Sequence, residues 1–383
     1  MRAVSGDRVI FKECILSFRP DKDIGDLKNE IVNKNSGYLL LDFNLNVDLN
    51  FGFFQIKRSL EVGLPGPRSA FISPVILPDW VEEFYSHTFT LGLASVLSFV
   101  WNRPVKAPRD GYMNGRTNIS EFELEQLAIL HPILTAGPGY SATRLSTATI
   151  NEMHSNSKKI ITKLFQLPYE TYTEVMQSIR LIQLAYLNER DDFGLSYYLL
   201  ISAIESIAVK AVKRKKTDVK HPKENLWKEM GEKDPEVKEL LKLYKEARDS
   251  KGLAKRFVNF ILEFCPIDEW NEMEHPMQST LSYIEEITGE KNDFWLKKNF
   301  YEIYPEDLTA DEINAVLMDL YKNRSAFTHE GKNPPHNDPY GPEKYFERQG
   351  FINDEYLYES RVMINYKLMC FITNRSISNY IFK

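Results

Sequence analysis

An arginine and a histidine near the end of a predicted helix are the residues whose types and spacing could do chemistry. The segment NRSAFTHEGK contains Arg324 and His329, five positions apart. A guanidinium binds oxyanions through paired hydrogen bonds, and an imidazole can transfer protons near neutral pH. The pair also has a packing interpretation, in which Arg324 forms a salt bridge and His329 interacts with the helix dipole.

The helix that carries this pair has a predicted start and end. Thr309 and Glu312 match a T-x-x-E capping box, and Gly331 is a suitable C-terminal cap. Its apolar stripe consists of Ile313, Val316, Leu317, Leu320 and Tyr321. Arg324 continues that stripe, so it must pair, extend to solvent or face a cleft. His329 lies about 140° further round an unbroken helix, so the two side chains share a face only if the last turn frays.

An upstream segment offers a partner for Arg324. Glu205 is surrounded in sequence by Ile201, Ala203, Ile204, Ile207 and Ala208. A carboxylate in so apolar a setting needs a cationic partner, and Arg324 is the candidate, unless the side chain points to solvent.

A short basic segment follows that helix. Between Lys210 and Lys223 there are seven Lys or Arg and one Asp, a local charge of +6 that leaves −12 for the rest of the chain. Such a concentration could bind a phosphate backbone, and it is also typical of a solvated helix end. The candidate substrate-binding residues are Lys213, Arg214, Lys215 and Lys216 in this segment, together with Ser325 next to Arg324.

The first part of the chain has strand patterns. Apolar and polar residues alternate from residue 41 to 48, which predicts a half-buried strand within a first 75 residues made of strand and turn. A long helix is predicted to begin after Asp79, with Glu82 as its capping partner, and another at Ser120 with Glu123. Residues 84–102 carry no charge, but His, Ser and Thr interrupt them, so we expect a buried core helix rather than a membrane span.

Helical periodicity dominates from about residue 150, with a last long helix predicted near residues 354–381. The predicted fold class is α+β. We expect a mixed strand and helix domain at 1–150, connecting helices at 151–190 and an all-α bundle at 191–383.

Composition limits the classes of function. The 383 residues are 43% hydrophobic with a formal net charge of −6, which excludes a wholly basic nucleic-acid coat. Three separated cysteines argue against a disulfide framework or a zinc knuckle, and with no secretory signal they favour a cytoplasmic protein. The sequence lacks the phosphate-loop, zinc-protease and serine-hydrolase motifs, and the spacing of His329, His336 and Asp338 matches no familiar metal site. We therefore predict no cofactor and no metal.

The segments around the pair also resemble a known family. LMDLYKNRSAFTHEG is similar to the R-x4-6-H signature of HEPN domains, and YYLLISAIESIAV resembles the first long helix of the Apea-like branch. LAKRFVNFILEF resembles the branch's middle segment, and the region with ESRVMINYKLMCFI would close the bundle. The resemblance covers roughly residues 191–383.

The resemblance implies RNA chemistry without a metal. Many HEPN proteins are endoribonucleases whose two motifs meet at a homodimer interface, some of them in toxins or phage defence, and others are non-catalytic RNA-binding or assembly modules. It assigns proton transfer to His329, phosphate stabilisation to Arg324, and to Glu205 either the orientation of Arg324 or a direct catalytic part. Family members often have Asn, Asp or His directly after the arginine, whereas this chain has Ser325.

Overall fold

The structure of the chain, a computed structural model, describes residues 5–20, 35–64, 68–109, 119–133, 143–213, 221–275, 277–291, 298, 302–332, 344–352 and 358–383. The strands in this part of the chain are β1 (Ser36–Leu41), β2 (Leu49–Asn50), β3 (Gln55–Ile56), β4 (Leu60–Leu64), β5 (Arg68–Ile76), β6 (Val105–Lys106), β7 (Phe346–Ile352) and β8 (Tyr358–Ile364). The helices are α1 (Ser5–Phe18), α2 (Ser86–Trp101), α3 (Glu121–Leu130), α4 (Thr147–Gln166), α5 (Tyr169–Asn188), α6 (Phe193–Ala211), α7 (Glu224–Gly231), α8 (Pro235–Phe264), α9 (Gln278–Thr288), α10 (Ala310–Glu330) and α11 (Tyr366–Phe382). The α+β class is confirmed.

The N-terminal sheet is antiparallel, with the strand order β2-β3-β5-β1-β6 and with β4 paired to β5. All six residues of β1 are buried. Leu39 and Leu41 join the main core beside α2, whereas Tyr38 and Leu40 join a smaller cluster beneath α3. Helices therefore cover β1 on both faces, and a strand buried on both faces needs no polar alternation.

This arrangement corrects the predicted strand at residues 41–48. β1 ends at Leu41, and the alternating segment beyond it is irregular up to β2. Phe43 and Leu45 are buried as the alternation suggested, but their segment bonds to loops rather than to a strand ladder: Asn44 N donates to Thr143 O at 2.8 Å and Ser59 N to Leu45 O at 2.7 Å. Alternating burial arose here without strand pairing.

The first residues are also not purely strand and turn, because α1 occupies Ser5–Phe18. Its buried side chains are Cys14, Ile15 and Phe18, a helical spacing. They pack closely on Gly92 of α2, where an added Cβ would lie 3.1 Å from Phe18 Cβ. The small residue in α2 is thus what allows α1 to approach.

The uncharged segment 84–102 forms the core helix α2, as predicted, but the helix begins later than expected. A 3-10 turn at Glu83–Tyr85 precedes it, and the N-cap Tyr85 makes no side-chain capping bond, so Asp79 does not cap it. Ser120 and Glu123 do form the predicted capping box of α3. Within the described chain, the helix long and apolar enough to cross a membrane is Phe193–Ala211, and 44% of that stretch is buried inside the protein.

The C-terminal half is mostly helical, but the all-α prediction for residues 191–383 is wrong. A two-stranded hairpin, β7 and β8, lies within it, and the last helix starts at Tyr366 rather than near residue 354. Tyr197 of α6 donates to Ile364 O at 2.9 Å, and Asn365 N donates to Tyr345 O at 2.9 Å. These bonds hold the end of β8 against the helices, and the Asn365 side chain caps α11.

One apolar core connects the three predicted segments. It contains residues of α1, α2 and β1 together with residues of α4, α5, α6, α8, α10 and α11. The helices α5 and α6 form its most extensive contact, and α8, α10 and α11 pack on α6. The domain boundaries at residues 150 and 190 stay predictions.

Candidate functional site

The helix α10 positions the Arg324 and His329 pair as the sequence indicates. Thr309 and Glu312 form the predicted capping box, and Ile313, Leu317, Leu320 and Tyr321 are buried. The helix continues to Glu330 and ends at Gly331, whose φ of 66° is the left-handed conformation that glycine adopts readily.

Arg324 pairs with Glu205, the partner expected from the sequence. Its Nη2 lies 2.7 Å from Glu205 Oε2. The other carboxylate oxygen, Oε1, accepts a hydrogen bond of 2.9 Å from the hydroxyl of Tyr321. One turn of α10 therefore supplies two donors to a single carboxylate on α6.

An aromatic ring packs against the guanidinium. Arg324 Cζ lies 5.6 Å from the centre of the Tyr198 ring, and that ring stacks on Phe327 at 5.0 Å. The cation–π contact with Tyr198 and the ion pair with Glu205 together hold the arginine over the middle of α6. Tyr198 and Tyr321 were not predicted as site residues, although the spacing of seven residues places Tyr198 and Glu205 on one face of α6.

Two polar atoms in this cluster retain unused hydrogen-bonding capacity. Arg324 Nε and Ser202 Oγ are buried, and neither has a hydrogen-bond partner among the described residues. Ser202 lies on the same face of α6 as Tyr198 and Glu205, at spacings of four and three residues. The cluster thus holds two buried donors whose hydrogen bonds are not used within the described residues.

Tyr321 stays protonated at neutral pH. Burial raises the pKa of its hydroxyl well above the usual value, and the negative charge of Glu205 raises that pKa further. The hydroxyl therefore acts as a permanent donor to Glu205.

His329 is separated from this cluster. It is exposed on the last turn of α10, and because the helix is unbroken to Glu330, it lies about 140° round the axis from Arg324. No hydrogen bond or ion pair joins His329 to Arg324 in the described part of the chain. Ser325, between them, is half-buried.

The basic segment begins at the far end of the helix pair. Arg324 contacts both Glu205 and Tyr198, and Phe327 also stacks on Tyr198, so α6 and α10 run antiparallel. Lys210 is therefore about 18 Å along α6 from Tyr198, on the side away from His329. Lys213 is exposed just after α6, and the predicted residues Arg214, Lys215 and Lys216 lie outside the described residues.

Metal-binding chemistry finds no support in the described residues, where no group of three His, Cys, Asp or Glu side chains could hold an ion. Of the weak candidate set, His336 and Asp338 lie outside the described residues. The three cysteines are free and buried, and burial raises the pKa of each thiol to about 12.

No protein-family model matches this sequence, and comparisons with curated proteins and with solved structures give no significant match.

Proposed function

We propose that the protein is a metal-independent endoribonuclease of the HEPN type, with an Apea-like helical domain in its C-terminal half. The observation that supports this most is the state of Arg324. Its guanidinium is half-buried, oriented by Glu205 and Tyr198, and retains an unused donor on the helix that ends with an exposed His329.

The proposed reaction is strand cleavage by the neighbouring 2′-hydroxyl. The hydroxyl loses its proton to a base, its oxygen bonds to phosphorus, and the bond to the 5′-oxygen breaks as that oxygen gains a proton. The products are a 2′,3′-cyclic phosphate and a 5′-hydroxyl. His329 transfers a proton, and Arg324 stabilises the phosphorane-like transition state through charged hydrogen bonds.

The proposed active form is a homodimer. His329 and Arg324 point about 140° apart on one α10, so a single chain does not direct both at one phosphate. A second chain that packs against the C-terminal turns of α10 would bring two arginines and two histidines into one cleft. In this proposal the protein is cytoplasmic, binds no membrane, and serves as a toxin or in phage defence.

A second candidate is a non-catalytic RNA-binding or assembly module. Two observations favour it: Glu205 already occupies Arg324 Nη2, and Ser325 stands where related motifs have a stronger polar group. A phosphate would have to compete with that carboxylate.

Cleavage of labelled RNA in EDTA separates the two candidates. The parent protein should produce 2′,3′-cyclic ends, and Arg324→Ala and His329→Ala should each reduce the rate by about 100-fold or more. Lys322→Ala is the matched control, because Lys322 is exposed on the same helix and contacts only the nearby Asp319 among the described residues. A parent that binds RNA but leaves every substrate intact would favour the non-catalytic module.

A further inference from the structure

The start of α7 and the middle of α8 hold a column of aromatic rings beside basic residues. The His221 ring stacks on the Trp227 indole at 4.5 Å with an interplanar angle of 18°. Tyr244 of α8 meets Trp227 edge to face at 5.3 Å. His221 is exposed.

Local hydrogen bonds hold the outer ring of this column in place. Lys223 N donates to His221 Nδ1 at 3.1 Å, and His221 N donates to the Tyr244 hydroxyl at 3.2 Å. An exposed ring that is already fixed loses little conformational freedom when a second ring stacks on it. The column is therefore preorganised for a flat, aromatic ligand.

The charge around the column is positive on its solvent side. The buried carboxylate beneath it, Glu224, is paired with Arg248 at 2.7 Å and with Lys228 at 3.5 Å. Lys223 is exposed two residues after His221, and Glu229 lies about 200° round α7 from Trp227. A phosphate next to the stacked ring would meet lysine rather than an unpaired acid.

We propose that His221, Trp227 and Lys223 form a stacking site for one nucleobase of single-stranded RNA, with Lys223 binding the adjacent phosphate. This inference rests on the proposed function in taking RNA as the ligand. Stacking on an aromatic face is available to every base in a single strand and to none inside a duplex. An acidic peptide would need the lysines but not the stacked rings.

The position of this stacking site is also compatible with a bound RNA strand that extends to Arg324. Within α8, Arg248 lies beside the column, and Phe257 lies about 14 Å further along the helix. The Phe257 ring contacts that of Tyr321 at 5.8 Å, and Tyr321 binds Glu205. A few nucleotides would therefore span the distance between the stacking site and the proposed phosphate site.

The test measures RNA binding by the full chain with His329→Ala present, so that no cleavage interferes. The probe is a labelled oligouridine of about 12 nucleotides, and inorganic polyphosphate of similar charge is the comparison. His221→Ala should weaken oligouridine binding about fivefold or more with polyphosphate binding unchanged, whereas His221→Phe should retain it. Lys223→Ala should weaken both ligands and lower the salt dependence of binding by about one ion.

Phe122→Ala removes an exposed aromatic ring from α3 and serves as the control that should change neither affinity. The inference is overturned if His221→Ala leaves oligouridine binding unchanged, or if it weakens oligouridine and polyphosphate binding equally. It is also overturned if His221→Ala weakens the binding of duplex RNA as much as that of oligouridine. Because the readout is binding, a parent that stacks RNA at His221 but never cleaves it contradicts only the proposed ribonuclease activity.

Discussion

Two arginine–carboxylate pairs in the described chain differ in how completely the protein encloses them. Arg103 and Asp42 lie where α2 and β1 end, and their side chains are 11% and 0% exposed. Arg324 and Glu205 lie between α10 and α6, and theirs are 21% and 15% exposed. The guanidinium and the carboxylate are thus more deeply buried in the Arg103–Asp42 pair than in the Arg324–Glu205 pair.

The geometry of the two pairs differs in the same sense. Arg103 binds Asp42 through two atoms, with Nε 3.0 Å from Oδ1 and Nη2 2.9 Å from Oδ2. Arg324 binds Glu205 through Nη2, its Nε has no partner among the described residues, and Tyr321 takes the second carboxylate oxygen. A guanidinium with both of these nitrogens bound to the carboxylate stabilises the fold, whereas one with an unused N–H can also donate to a phosphate oxygen.

The largest predicted effect is on the enclosed pair. Asp42→Asn removes the charge that balances Arg103 and leaves a buried cation, so the free energy of unfolding should fall by about 3–5 kcal/mol. Urea unfolding followed by circular dichroism measures this loss. RNA binding by the folded protein should not change, because Asp42 follows β1 of the N-terminal sheet whereas Arg324 lies on α10. A loss below about 1 kcal/mol would mean that water reaches Arg103 and that the two pairs are alike.

Much of the helical framework of the protein could be predicted from the sequence. The capping boxes at Ser120 and Thr309, the glycine at the end of α10 and the need of Glu205 for a cation are local consequences of residue type and spacing. Local rules of this kind depend on residues within one or two turns, and they hold when tertiary packing does not oppose them.

The strand pairing of the sheet and the tyrosines of the site could not be predicted, because they depend on contacts between residues that are distant in sequence. The segment after Leu41 alternates like a strand, yet it pairs with no strand among the described residues, and the segment before the last helix pairs as β8 because β7 lies beside it. The contact of Arg324 with Tyr198 and the hydrogen bond from Tyr321 to Glu205 depend on how α6 packs against α10. Such packing has no signature within a single helix.

The second prediction concerns the open pair. Glu205→Gln keeps an acceptor for the Tyr321 hydroxyl but releases Arg324 from its ion pair, which should lower the free energy of unfolding by about 1–2 kcal/mol. Inorganic phosphate at constant ionic strength should restore part of this stability, because a ligand that binds the folded protein stabilises it. Thermal unfolding with and without phosphate measures the restoration.

Asp42→Asn is the matched control for that experiment, since its arginine is enclosed and should gain nothing from phosphate. One contrary result is that phosphate stabilises Glu205→Gln no more than it stabilises the parent protein, and another is that it stabilises Asp42→Asn as much as Glu205→Gln. Either result would show that the guanidinium of Arg324 does not bind an anion. Arg103 and Arg324 would then not differ in their ability to bind an anion.

The smallest effect should come from a third and more exposed pair, Lys57 and Asp48, which lie 2.9 Å apart with side chains 39% and 37% exposed. Lys57→Ala should lower the free energy of unfolding at pH 7 by at most about 1 kcal/mol, because water screens the pair. Asp48 also keeps the hydrogen bond of 2.8 Å that its Oδ1 accepts from Arg58 N.

The pH dependence of this small effect identifies its source. Partial burial alone would raise the pKa of Asp48, but the Arg58 N–H and Lys57 outweigh it and hold the pKa below the ordinary value of 3.8. A depressed folded pKa contributes stability above 3.8, which is lost as pH falls through the folded value. The difference between Lys57→Ala and the parent should therefore vanish in that acid range in urea unfolding. If it persists there, or equals the loss in Asp42→Asn at pH 7, then enclosure does not set the strength of these pairs.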